Sequence, residues 1–107
     1  MEARITRSMA QRRLGRYQAM LRREFPALRA KFRVVYLGLF GSYVHGTPRK
    51  GSDLDVLVEF SEEPSLFEFL ELESRLSGLL GVKVDLVMKG TLKPLIGRRI
   101  LSEVVGL

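Results

Sequence analysis

The runs VVYLGLF at 34–40 and LDVLVEF at 54–60 constrain the fold most, because the second carries Asp55 inside it and Asp53 directly before it. A carboxylate is costly to bury and is seldom placed in a strand for packing. Val34 to Phe40 is continuously apolar between Arg33 and Gly41, which reads as a strand covered on both faces. Leu54 to Phe60 alternates instead. Leu54, Val56, Val58 and Phe60 face one way, and Asp53, Asp55, Leu57 and Glu59 the other. Both aspartates therefore share one face, about 6–7 Å apart at the backbone. Such a pair needs a chemical reason.

Around these strands the pattern is helical. Leu14, Tyr17, Leu21, Phe25, Leu28 and Phe32 recur at three-to-four spacing, the mark of a helix. Pro26 falls inside that stretch, and proline breaks a helix interior but fits a first turn. The spacing thus predicts one helix near 8–24 and a short second near 26–32. Pro64-Ser65 opens another helix, with Ser65 and Glu68 at capping-box spacing. Its apolar side includes Leu66, Phe69, Leu70, Leu76 and Leu80, and Gly78 or Gly81 ends it. Val82 to Val87 reads as a third strand, with Val82, Val84 and Leu86 on one side and Lys83, Asp85 and Val87 on the other. A last helix follows Thr91, with Pro94 in its first turn and a stripe of Ile96, Ile100, Leu101, Val104 and Val105. This order predicts an α/β (α+β) fold, a small mixed sheet backed by helices.

A chain of 107 residues fits one domain, and its 46% apolar content supplies a core without staples. The expected organisation is a basic helical region at 1–32 and a catalytic core at 34–107. There is no cysteine, which removes disulfides and thiol nucleophiles, and the single histidine, His45, argues against a histidine-based zinc site. The longest apolar run is too short to span a bilayer and no apolar leader opens the chain, so a soluble cytoplasmic protein is expected. The net charge of +6 is uneven: residues 1–33 carry ten basic residues against two acidic ones, and residues 34–107 eight against ten. Such asymmetry suggests contact with RNA, nucleotide phosphates or an acidic protein, with a solvated helix face as the plain alternative.

Asp53 and Asp55 can converge on one divalent cation, and magnesium suits them, being a hard ion that takes one or two carboxylates, waters and phosphate oxygens. If the third strand pairs beside Leu54–Phe60, Asp85 joins them, and three carboxylates around metal ions suit phosphoryl or nucleotidyl transfer. Gly41-Ser42 supplies the other half: glycine lets the backbone approach a phosphate, and a serine hydroxyl with N–H groups at a helix start cradles it. Gly46 closes that turn, and the ten residues from Tyr43 to Ser52 separate cradle from carboxylates. His45 beside this loop reads as a phosphate contact or proton carrier, or as an exposed turn residue. Arg49 and Lys50 hold a triphosphate or are ordinary loop cations. Tyr43 stacks on a base or packs on a helix, and Glu68, Glu71 and Glu73 read as a solvated acidic face.

The Gly-Ser pair, ten-residue spacer and Asp-x-Asp resemble the minimal nucleotidyltransferases of the DNA polymerase beta superfamily. More narrowly, "LGLFGSYVHGTPRKGSDLDVLVEF", "PSLFEFLELESRLSGLLGVKVDLVMKG" and "LKPLIGRRILSEVV" resemble the MNT antitoxins paired with HEPN toxins in prokaryotes. The likeness runs from about Leu37 to the end. It implies a polymerase-beta-like fold and transfer of AMP from ATP, with magnesium, onto a tyrosine of a partner HEPN RNase, as the antitoxin of a type VII toxin–antitoxin pair. By position it implies Gly41 and Ser42 as the phosphate-binding pair, Asp53 and Asp55 as metal ligands, and Asp85 as the third carboxylate and base. Where the family often has a basic residue before the second glycine of the turn, this chain has His45.

Two other readings stand beside this one. A protein of the same fold would neutralise its toxin by contact alone, which leaves three carboxylates on one face without a use. A nucleotidyltransferase for a small molecule such as an aminoglycoside would need a further substrate domain. RNA binding by the arginine-rich start is a weaker idea that predicts salt-dependent affinity independent of the aspartates.

Overall fold

A computed structural model describes residues 5–49 and 51–107. The first helix, α1, spans Arg7–Phe32; Thr6 caps its start by accepting from the Met9 N–H at 3.1 Å. It ends at Arg33, which adopts a left-handed conformation at φ 61°, and the Arg33 N–H donates to the Arg29 carbonyl at 3.0 Å. That conformation is uncommon for a residue with a side chain. Here it is tied down, because Arg33 Nη1 pairs with Glu62 Oε2 at 2.6 Å and the Arg33 carbonyl accepts from the Ser61 N–H at 2.9 Å.

The expected break at Pro26 does not occur, and α1 runs through it. Pro26 lies on the exposed side, so water can serve the Arg22 carbonyl that loses its donor. Meanwhile Leu28 and Phe32 beyond it are buried in the same core as Tyr17 and Leu21. Burying two large side chains is worth roughly 3–6 kcal/mol, enough to outweigh the ~3 kcal/mol cost of an interior proline.

Strands β1 (Val34–Phe40), β2 (Leu54–Phe60), β3 (Val84–Met88) and β4 (Val105–Gly106) form one sheet in the order β3-β2-β1-β4. β1 is antiparallel to both β2 and β4, while β2 and β3 are parallel. A parallel pair needs a crossover, and α3 (Leu66–Leu80) provides it. The expected Ser65–Glu68 capping box opens α3, and Gly81 at φ 69° ends it. The short α2 (Ser42–His45) follows β1, and α4 (Pro94–Glu103) precedes β4.

The core lies between one sheet face and the helices α1 and α3. Leu37 and Leu39 of β1, Leu54, Val56 and Val58 of β2, and Val84 and Leu86 of β3 meet Tyr17, Leu21, Leu28, Leu72, Leu76 and Leu80 there. The alternation read from β2 holds, although Leu57 on the opposite face is also fully buried.

Four expectations fail at element edges. β3 starts at Val84 rather than Val82. Leu66 and Leu70 face solvent, because the buried stripe of α3 is Leu72, Leu76 and Leu80 with Phe69 against it. Ile96 and Leu101 of α4 are likewise exposed. Val104 caps α4, and Val105 leaves the helix to pair with Leu39 as the unforeseen β4. Gly38 makes room for that ending, since a methyl group there would strike the Val104 side chain and the Tyr36 ring.

Candidate active site

The sheet register brings the acidic residues together. Asp55 lies directly beside Asp85 on the parallel neighbour β3, with Phe40 of β1 on its other side. Asp53 precedes Asp55 by two positions and so shares its face. Hence the condition set by the sequence, that the third strand pair beside the second, is met in register.

Backbone and side-chain contacts fix this arrangement. β3 is an edge strand, whose outward N–H groups would otherwise be left to solvent. Two side chains of α3 take them: Ser77 Oγ accepts from the Val84 N–H at 3.0 Å, and Glu73 Oε2 from the Leu86 N–H at 2.9 Å. Asp85 sits between these two anchored positions. Glu73 therefore does not belong to a solvated acidic face, as its helical spacing suggested. Glu71 and Glu68 are surface residues, the first paired with Lys31 at 3.3 Å and the second closing the capping box.

Opposite the carboxylates stands the turn from β1 into α2. Gly41 has φ 79°, a conformation that side chains resist, and a methyl group on it would overlap Asp55 Oδ2. Only glycine fits between the strand end and that carboxylate. The Gly41 carbonyl accepts from the N–H groups of Val44 and His45 at 3.1 and 3.0 Å, so α2 begins with Ser42 in its first turn. The leading N–H groups of such a turn have no acceptor within the helix. Gly41, at the head of this turn, is the residue that meets the Asp55 carboxylate.

Tyr43 resolves toward packing: it is buried and meets the Tyr17 ring edge-on, with centroids 5.7 Å apart. His45 is half exposed and lies with Nε2 3.1 Å from Glu103 Oε2, which ties the turn to the end of α4. Glu103 carries no local sequence signal, because its partner lies 58 positions away. Arg49 is exposed on the loop into β2, where its N–H donates to Ser52 Oγ at 2.7 Å. Lys50 lies outside the described residues.

Crowding leaves an electrostatic trace. Burial first, then the negative charges of Asp85 and Asp53, push the Asp55 carboxyl up to about 6. Lys83 Nζ lies 3.9 Å from Asp53 Oδ2. Among the described residues no three acidic or imidazole groups close into a cage around one point. Magnesium does not ask for a cage, since it takes one or two protein carboxylates and draws its remaining ligands from water and phosphate. Asp55 and Asp85, side by side and in none of the ion pairs among the described residues, with Asp53 two positions away, fit that ion.

Comparison with known proteins is consistent along most of the chain. The nucleotidyltransferase domain family model matches residues 21–107. A protein adenylyltransferase, MntA, of Thermococcus cleftensis is 47% identical over 97 residues, spanning 91% of this chain and 98% of that one. A solved structure provisionally described as a minimal nucleotidyltransferase is 38% identical, with a TM-score of 0.69 over 87% of this chain and 90% of its own. The complex of a tri-AMPylated Shewanella oneidensis HEPN toxin with its MNT antitoxin aligns at TM-score 0.58, covering 92% of this chain and 71% of that one. At 21% identity, this last likeness is one of fold.

Proposed function

This chain belongs to the nucleotidyltransferase domain family, among the protein adenylyltransferases, and we propose that it moves AMP from ATP onto a tyrosine of a HEPN-type RNase toxin. Its 107 residues act as one transferase domain in the cytoplasm. The relative named protein adenylyltransferase supports the reaction class, and the AMPylated toxin bound to an MNT antitoxin supports the acceptor.

One observation carries the reading: Asp55 stands beside Asp85 in the parallel ladder while Gly41 backs directly onto the Asp55 carboxylate. Gly41 and Ser42 hold the phosphates through the exposed N–H groups and hydroxyl of the turn. His45 and Arg49 line the rim of the same loop. Asp53 and Asp55 would hold magnesium, with Asp85 beside them, and the ion would supply positive charge against the charge gathering on the phosphates. The tyrosine oxygen attacks the α-phosphorus, the bond from that phosphorus to the oxygen bridging to the β-phosphate breaks, and pyrophosphate leaves. Asp85, exposed on its edge strand, accepts the tyrosine proton. The site is open to solvent, so the acceptor protein completes its wall and excludes water.

Incubation with ATP labelled at the α-phosphate, magnesium and the toxin encoded beside this chain tests the proposal. Label should appear on the toxin and vanish with Asp53→Asn. Neutralisation that persists in Asp53→Asn without label would instead establish inhibition by contact alone.

A further inference from the structure

The arginines of α1 play no part in the chemistry above, yet they form the strongest charge feature of the molecule. From Arg7 to Phe32 the helix carries eight basic residues and one acidic residue, Glu24. Seven of the eight are arginine. Among the described residues, only Lys31 of these eight is in an ion pair. Like charges one turn apart, such as Arg12 and Arg16, cost stability rather than add it. The charge is therefore not there to hold the fold together.

Its placement is orderly. At 3.6 residues per turn, Arg12, Arg16 and Arg23 fall within about 40° of one another on the helix circumference, and the buried Tyr17, Leu21 and Leu28 fall roughly opposite. All three arginines are exposed. They span roughly 16 Å along the axis at 1.5 Å per residue. The unbroken passage through Pro26 keeps the exposed Arg29 on the same rod.

What lies between the arginines identifies the ligand. Gly15 and Ala19 lie between them and Ala27 and Ala30 follow, and none of the exposed large apolar side chains belongs to α1. A stable protein interface packs apolar or aromatic side chains around its arginine anchors, and this face has no exposed large apolar side chain to do so. A helix that reads sequence in the DNA major groove combines donors and acceptors along its face, whereas this ridge carries arginine alone. A flexible polyphosphate needs only cations spaced along a line, and the guanidinium fork matches phosphate geometry.

We propose that the outward face of α1, with Arg12, Arg16 and Arg23 as its ridge, binds single-stranded RNA through its phosphates without reading sequence. This surface works independently of the carboxylate site.

Fluorescence anisotropy of a labelled 20-nucleotide RNA with the full chain, from 50 to 300 mM KCl, tests it. Three phosphate contacts on a single strand give a log–log salt slope of about −2 or steeper. Combined Arg12→Gln, Arg16→Gln and Arg23→Gln should weaken binding at least tenfold at 100 mM KCl and flatten the slope. The same three positions changed to lysine should retain the slope, and Asp53→Asn should bind like the parent. Circular dichroism with a melting temperature no lower than the parent's shows that the glutamine variant is folded. Absence of RNA binding by the parent, a glutamine variant within threefold of it, duplex DNA bound tenfold more tightly than RNA, or displacement of RNA by polyglutamate at equal charge would each overturn the assignment.

Discussion

The Cα of Gly41 faces the carboxylate of Asp55 so closely that no side chain fits between them. The contact joins the two halves of the site, since Gly41 starts the turn into α2 and Asp55 centres the acidic row. Gly41→Ala must therefore displace Asp55 and also strain a backbone at φ 79°. The expected result is loss of adenylyl transfer by more than about 100-fold, with a stability cost of roughly 1–3 kcal/mol from the strained conformation. Label transfer and urea denaturation measure the two effects separately.

The acidic row makes the metal-free protein sensitive to pH in a defined direction. Asp55 has a folded value of about 6 against an ordinary 3.8, so between those limits the folded state binds more protons than the unfolded one. Stability of the metal-free protein should fall as pH rises through that window and level off above it. Asp55→Asn should remove this slope and stabilise the metal-free protein at pH 7 by about 1 kcal/mol, a nominal value near 3 being cut down by solvent screening at a half-buried site. Denaturation curves at pH 4, 5, 6 and 7 give the comparison, and saturating magnesium should shrink the difference between parent and variant.

Glu73 and Ser77 hold β3 in place from α3. Ser77→Ala should cost about 1 kcal/mol, and Glu73→Ala about 1–3 kcal/mol because a charged acceptor is lost. Both should lower transfer with little change in the KM for ATP, because Asp85 moves while the phosphate turn stays. Steady-state kinetics alongside thermal melts check this, and a raised KM with unchanged kcat would show that the edge strand does not position Asp85.

Pro26 interrupts the hydrogen bonding of a helix that tertiary packing keeps whole. Pro26→Ala restores a donor for the Arg22 carbonyl and should stabilise the protein by about 1–3 kcal/mol. A lowered melting temperature would mean that the proline rigidifies the unfolded chain more than it harms the helix.

Much of this architecture is legible in the chain, for reasons that differ by residue. The alternation of Leu54 to Phe60 shows which face carries Asp53 and Asp55, because a strand repeats every two residues. The capping box at Ser65 and Glu68 is legible because both of its hydrogen bonds are local. Pro26 misleads because a local preference worth a few kcal/mol yields to the burial of Leu28 and Phe32. Leu66 and Leu70 mislead because apolar residues cover more of the α3 circumference than the core contacts. The bond from His45 to Glu103, the hold of Glu73 on Leu86 and the pairing of Val105 with Leu39 leave no mark on sequence spacing. They arise only when distant segments meet.

Crystals grown with manganese in place of magnesium and a non-hydrolysable ATP analogue offer the most direct test of the site. Anomalous scattering should place an ion against the carboxylates of Asp53 and Asp55, with Asp85 facing the α-phosphorus and the other phosphates on the turn at Gly41 and Ser42. Nucleotide seated instead in the cleft of about 570 Å³ between Phe60, Pro64 and Met88, with no ion at the aspartates, would contradict it.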